Sequence, residues 1–139
     1  MASTVGTSDR LPELASGARR AVLRLDPTER PRLIVPGTGG PHPLVQGLLG
    51  PMAMVLMRTY YLAVTDRSVF VLRGPRSTGE PEEALAVVPL EQAGALVAKV
   101  AHGRRRSRVW LRLPQAKRPV RMEVWFTSRP QLDAFLARL

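Results

Sequence analysis

The chain has 139 residues, 45% hydrophobic and 23% charged, with no cysteine and a formal net charge of +10. That length suits one domain with a real core, and the hydrophobic content excludes wholesale disorder. The missing cysteines exclude a disulfide scaffold, a thiolate zinc site, an iron–sulfur cluster and a cysteine nucleophile.

Met1 to Asp9 is small and polar and reads as a loose tail with no secretory signal. Leu11, Leu14, Ala18, Val22 and Leu25 recur at roughly helical spacing and predict a short amphipathic helix, which Gly17 weakens. Residues 1–20 are thus a flexible tail or short helix, and residues 21–139 form the domain. A short strand is expected over Arg32 to Val35. The loop after it, PGTGGPHP at 36–43, has three prolines and three glycines, which argue against any regular element. Leu44 to Met57, LVQGLLGPMAMVLM, is the most apolar stretch. A membrane span needs about 20 residues, so this segment reads as core or interfacial.

TYYLAVT (Thr59 to Thr65) and SVFVLR (Ser68 to Arg73) are rich in aromatic and β-branched residues and predict a hairpin. Asp66-Arg67 is its two-residue turn, with Asp supplying the local hydrogen bonding. Gly74 to Glu83 is a polar loop carrying the acids Glu80, Glu82 and Glu83. Strands follow over Ala84 to Val88 and, after a break at residues 89–94, over Ala95 to Ala101.

Ser107 to Leu113 alternates, with Val109, Leu111 and Leu113 on one face and Arg108, Trp110 and Arg112 on the other. Val120 to Phe126 alternates likewise, setting Val120, Met122, Val124 and Phe126 against Arg121, Glu123 and Trp125. Pairing the apolar sets places Trp110 opposite Glu123, Arg112 opposite Arg121 and Arg108 opposite Trp125. Arg129 to Leu139 predicts a closing helix, with Ser128 as N-cap and Pro130 in the first turn. Its stripe of Leu132, Phe135, Leu136 and Leu139 must dock on the sheet, because so short a helix is marginal alone. The fold class expected is mainly β: a bent seven-stranded sheet or barrel capped by a C-terminal helix, plus the short N-terminal helix.

YLAVTDRSVFVLRG (Tyr61 to Gly74) resembles the "TD-R" hairpin of bacterial pleckstrin-homology-like domains. VVPLEQAGALV (Val87 to Val97) is loosely similar to the step that follows that hairpin. LDPTER (Leu25 to Arg30) resembles the family's lead-in to the first strand, with Thr28 where Gly is usual. The likeness covers roughly residues 22–139. It implies a pleckstrin-homology-like (PH-like) barrel serving as an interaction module. Separately, the residues lead to no expected cofactor.

The charge is uneven. Thr78 to Ala98 carries four acids and no base, while Lys99 to Arg121 carries nine bases and no acid. Within the second stretch, Arg104, Arg105 and Arg106 occupy a hairpin turn, and Arg108, Trp110 and Arg112 extend one face, with Arg118 and Arg121 beyond. The planar guanidinium suits phosphate oxygens, and interleaved tryptophans suit a lipid interface or unpaired bases. The plainer reading is a solvated, aggregation-resistant face with an Arg108–Trp125 cation–π pair. Five arginines against an anionic leaflet supply about 5 kcal/mol before ordering costs, an affinity in the millimolar range.

Other motifs are weak. Gly37-Thr38-Gly39-Gly40 lacks the lysine and spacing of a phosphate loop. His42 and His102 share no spacing for a metal or catalytic pair, and no nucleophile, base and orienter can be assembled. The expectation is a non-enzymatic PH-like module, cytoplasmic or peripheral at the inner face of the membrane. Its basic hairpin face docks on acidic lipid headgroups or an acidic protein partner. The alternatives are non-specific nucleic-acid binding by that face, or homo-oligomeric assembly through Tyr60, Leu62 and Val64 or the Leu44–Met57 segment.

Overall fold

The computed structural model describes residues 7–39, 48, 58–75 and 81–139. The apolar segment of residues 44–57, apart from Leu48, lies outside the described residues, as do the tail 1–6, His42 and Glu80.

Seven strands are described: β1 (Leu33–Gly39), β2 (Arg58–Val64), β3 (Ser68–Pro75), β4 (Glu83–Pro89), β5 (Val97–Ala101), β6 (Arg106–Leu111) and β7 (Val120–Trp125). They form one antiparallel sheet in the order β4-β3-β2-β1-β7-β6-β5, curled into a half-barrel. The α-helices with described bounds are α1 (Thr7–Leu25), the single turn α2 (Ala93–Leu96) and α3 (Arg129–Leu136).

The concave face holds the main core. Val35, Leu62, Val64, Val71, Val109, Leu111, Met122 and Val124 pack there against Leu132 and Phe135 of α3. On the convex face, α1 covers Ile34, Tyr61, Ala63, Phe70 and Leu72 with Ala18, Ala21 and Val22. β2 and β3 are therefore buried on both faces, which is why YYLAV and VFVL are continuous apolar runs and not alternating ones. In β6 and β7 the alternation survives, because α1 leaves the outer face of that half to solvent.

Several expectations are corrected. The expected N-terminal helix is present but starts earlier: α1 begins at Thr7, inside the expected tail Met1–Asp9, and runs through a buried Gly17. Its buried stripe contains Ala21, whereas Leu25 is exposed. Small residues let the helix axis sit close to the sheet, and this packing outweighs the intrinsic cost of Gly17. Tyr60, Leu62 and Val64 are core residues facing α3's side of the sheet, so they offer no assembly surface.

β1 continues through Pro36 and Gly37 to Gly39, where a loop was expected. Strand pairing with β2 from Leu33↔Val64 to Gly39↔Arg58 supplies the order that composition alone denies. The two glycines have a packing reason. A Cβ on Gly37 would lie 2.5 Å from Met122 Cε and 2.8 Å from the Glu123 carbonyl oxygen. One on Gly39 would lie 2.5 Å from Tyr60 Cε2. Glycine thus lets β1 and β7 approach where the sheet bends, with Thr38 paired to Glu123.

α2 occupies Ala93–Leu96, so β5 begins two residues later than the expected Ala95. α3 ends at Leu136, and Leu139 remains 47% exposed instead of completing the docked stripe. Ser128 stands at the N-cap position but makes no capping bond with its side chain; a 3-10 turn, Phe126–Ser128, leads into the helix instead.

Candidate anion-docking face

The site is the outer face of β5, β6 and β7. Pairing of β6 with β7 runs Arg106↔Trp125, Arg108↔Glu123, Trp110↔Arg121 and Leu111↔Val120. This is shifted by two residues from the expected register. Because side chains alternate with period two, the shift preserves the faces and changes every partner. Its cause is that β6 stops at Leu111, so the connection to β7 spans residues 112–119.

Arg112 is consequently diverted from the face. Its backbone N–H donates to the Leu96 carbonyl at 2.7 Å. Its Nη1 donates to the carbonyls of Ala95 and Val97 at 3.2 and 3.3 Å, satisfying backbone acceptors around the end of α2. Arg118 is exposed in the 112–119 connection, off the strands.

The remaining expected residues come together. Lys99 on β5 lies opposite Trp110, its Nζ 5.0 Å from the indole centroid. Arg106, not Arg108, covers Trp125, with Cζ at 5.4 Å from the ring. Arg106 Nη1 also reaches Glu123 Oε2 at 3.0 Å, and Arg121 Nε stands 4.0 Å from Glu123 Oε1. Glu123 is thus one acid among Lys99, Arg106, Arg108 and Arg121. Glu123 and Arg121 are half-buried while Arg106 is exposed, and one carboxylate among four cations leaves the face with net positive charge.

The turn between β5 and β6 extends the face. A Cβ on Gly103 would lie 2.5 Å from the Arg106 carbonyl oxygen, so the tight reversal requires glycine. His102 Nδ1 and Ser107 Oγ form a hydrogen bond at 3.3 Å across it. Arg104 and Arg105 stand exposed at the tip.

Phe126 was expected in the inward apolar set. β7 ends one residue earlier, and the phenyl group is 61% exposed. Its backbone N–H donates to the Arg105 carbonyl at 2.8 Å, tying it to the arginine-bearing turn.

A second polar cluster was not foreseen as a unit. In the segment joining α1 to β1, the Thr28 hydroxyl and N–H donate to Asp26 Oδ1 at 2.6 and 3.0 Å. The hydroxyl bond, with the backbone bond, holds the Asp26 carboxyl below its ordinary range. Arg67 from the β2–β3 turn donates to Thr28 Oγ1 at 2.9 Å and meets Glu29 Oε1 at 3.4 Å. Ser68 Oγ also donates to Glu29, which is only 5% exposed. The clasp joins the LDPTER and TDR motifs and is structural. In the turn itself, Thr65 Oγ1, not Asp66, accepts from the N–H groups of Arg67 and Ser68. Asp66 pairs instead with Arg32 at 3.2 Å.

No family model, curated protein or solved structure matches this chain. Among the described residues, no three histidine or carboxylate side chains cluster as a metal site would require. Among them, too, no helix is long and apolar enough to cross a membrane.

Proposed function

We propose that the chain is a non-enzymatic interaction module of the PH-like kind, docking on an anionic surface through the outer face of β5, β6 and β7. The observation that carries the reading is the grouping of Arg104, Arg105, Arg106, Arg108, Arg121 and Lys99 on one hairpin-built face with a single acid, Glu123. α1 covers the outer face of β1, β2 and β3, and the face built by β5, β6 and β7 lies beyond it, open to a partner. Seven antiparallel strands closed by a C-terminal helix support the PH-like kinship, together with the short motifs at Leu25–Arg30 and Tyr61–Gly74.

The two indoles are already covered by Lys99 and Arg106, so bases would have to displace a cation to stack on them. This favours a charged surface over single-stranded nucleic acid. Heparin and anionic vesicles provide the test. The chain should be retained by both at low salt and released steeply as ionic strength rises. Absence of retention at low salt overturns the proposal, and selective retention by single-stranded nucleic acid replaces it with that alternative.

A further inference from the structure

We infer that Arg112 is a guard on the free edge of β5, and that the strand it keeps out is β4 of a second copy of this chain. β4 and β5 are the two ends of the sheet, so among the described residues each has a strand neighbour on one side alone. The unpaired N–H and carbonyl groups of such an edge are a template for an added strand. At the start of β5 the pairing shows where that template begins. Because the Arg112 N–H donates to the Leu96 carbonyl, the facing residues Val97 and Leu111 exchange no bonds, and the Val97 carbonyl turns away from β6. The Arg112 guanidinium occupies that carbonyl and the neighbouring one of Ala95. An arriving strand must first displace it.

The two edges are guarded differently. β4 is closed by Pro89, preceded by Pro81 and bent by an extra residue, Leu85, against β3, all of which are fixed in its backbone. β5 also has an extra residue, Ala98, but its first outward carbonyl is held by one exposed side chain. Charge singles out β4 as the excluded strand. Glu82 before β4 and Glu91 after it are exposed and make no ion pair among the described residues, and Val87 between them is exposed as well. β5 carries the exposed Lys99 and leads into the arginine turn, so a second β5 is repelled where an incoming β4 is attracted. A contact of β4 on β5 joins unlike edges and leaves one of each free, so it would run on from copy to copy.

The test is the solution mass of the full chain over a concentration series, by sedimentation equilibrium at about 0.1 M and about 0.5 M salt, with sheet content followed by circular dichroism. Wild type should stay monomeric. Arg112→Ala should keep its sheet and associate, with an association constant raised about tenfold or more, the order set by freeing acceptors held by a charged donor. That association should weaken at the higher salt. Arg112→Lys should fall between the two, since an ammonium lacks the planar fork. Adding Val87→Lys, which sets a like charge in the middle of β4, should return Arg112→Ala to a monomer. Wild-type association equal to that of Arg112→Ala overturns the guard, and so does an Arg112→Ala chain that stays monomeric. Association of Arg112→Ala that survives Val87→Lys overturns β4 as the excluded strand. Association accompanied by loss of the β-sheet signal is unfolding and overturns the proposal too.

Discussion

Glycines 37 and 94 are chemically identical, yet their surroundings dictate opposite responses to one added methyl group. At Gly37 the new carbon would fall within 3 Å of Met122 and of the Glu123 carbonyl oxygen, at the bend between β1 and β7. Gly37→Ala should therefore cost about 1–3 kcal/mol, as overpacking does. At Gly94, within α2, nothing lies within 4 Å of that position. Gly94→Ala should stabilise by about 0.4–1 kcal/mol through lost freedom of the unfolded chain. Urea denaturation of the pair reads both signs. Asp26 gives a pH signature at the same scale. Its folded-state pKa is lowered by the Thr28 hydrogen bonds, so its contribution is full above the unfolded value of about 3.9 and is lost as pH falls through the lower folded value. The Tm difference between wild type and Asp26→Asn should be constant near neutrality and shrink below about pH 4.

The elements depend on one another through few contacts, and the clasp between the α1–β1 segment and the β2–β3 turn is one of them. Arg67→Ala strips the buried Glu29 carboxylate of its cation and leaves it Ser68. A loss of about 1–3 kcal/mol is expected, with a smaller loss when Glu29→Gln is already present; a double-mutant cycle by thermal denaturation checks the coupling. α3 divides as its burial does. Phe135→Ala should cost about 3–5 kcal/mol and Leu139→Ala less than about 0.5 kcal/mol. All seven strands were legible because β-branched runs and turn residues mark them. The continuation of β1 over Gly37 and Gly39 was not, since its order comes from β2 and β7 and not from its own residues. The face of each side chain in β6 and β7 was legible from alternation. Register was not, because a shift by two residues keeps every apolar side chain inward and the length of the 112–119 connection is invisible to periodicity. For the same reason Arg112 was assigned to the face, although three carbonyls around α2 hold it. Phe126 looked like a core residue because it continues the pattern past the point where the strand ends.

For the whole molecule the decisive property is where charge lies, not how much there is. Outside Lys99–Arg121 the chain is close to neutral, and the acid-free stretch folds into one hairpin-built face with its connection to β7. Charge placed so should act on a partner locally, and substitutions of equal net charge should differ by position. Arg104→Glu/Arg105→Glu/Arg108→Glu alters the face; Arg19→Glu/Arg30→Glu/Arg138→Glu removes the same charge from exposed positions outside the basic stretch. Vesicle co-sedimentation of both triple variants against wild type at about 0.1 M salt, where the Debye length is about 10 Å, measures this most directly. The account predicts that the face variant loses binding by about a hundredfold or more, from three reversals each worth at least about 1 kcal/mol, while the other stays within a few-fold of wild type. Equal losses in the two variants would show that net charge alone governs binding and would contradict a docking face.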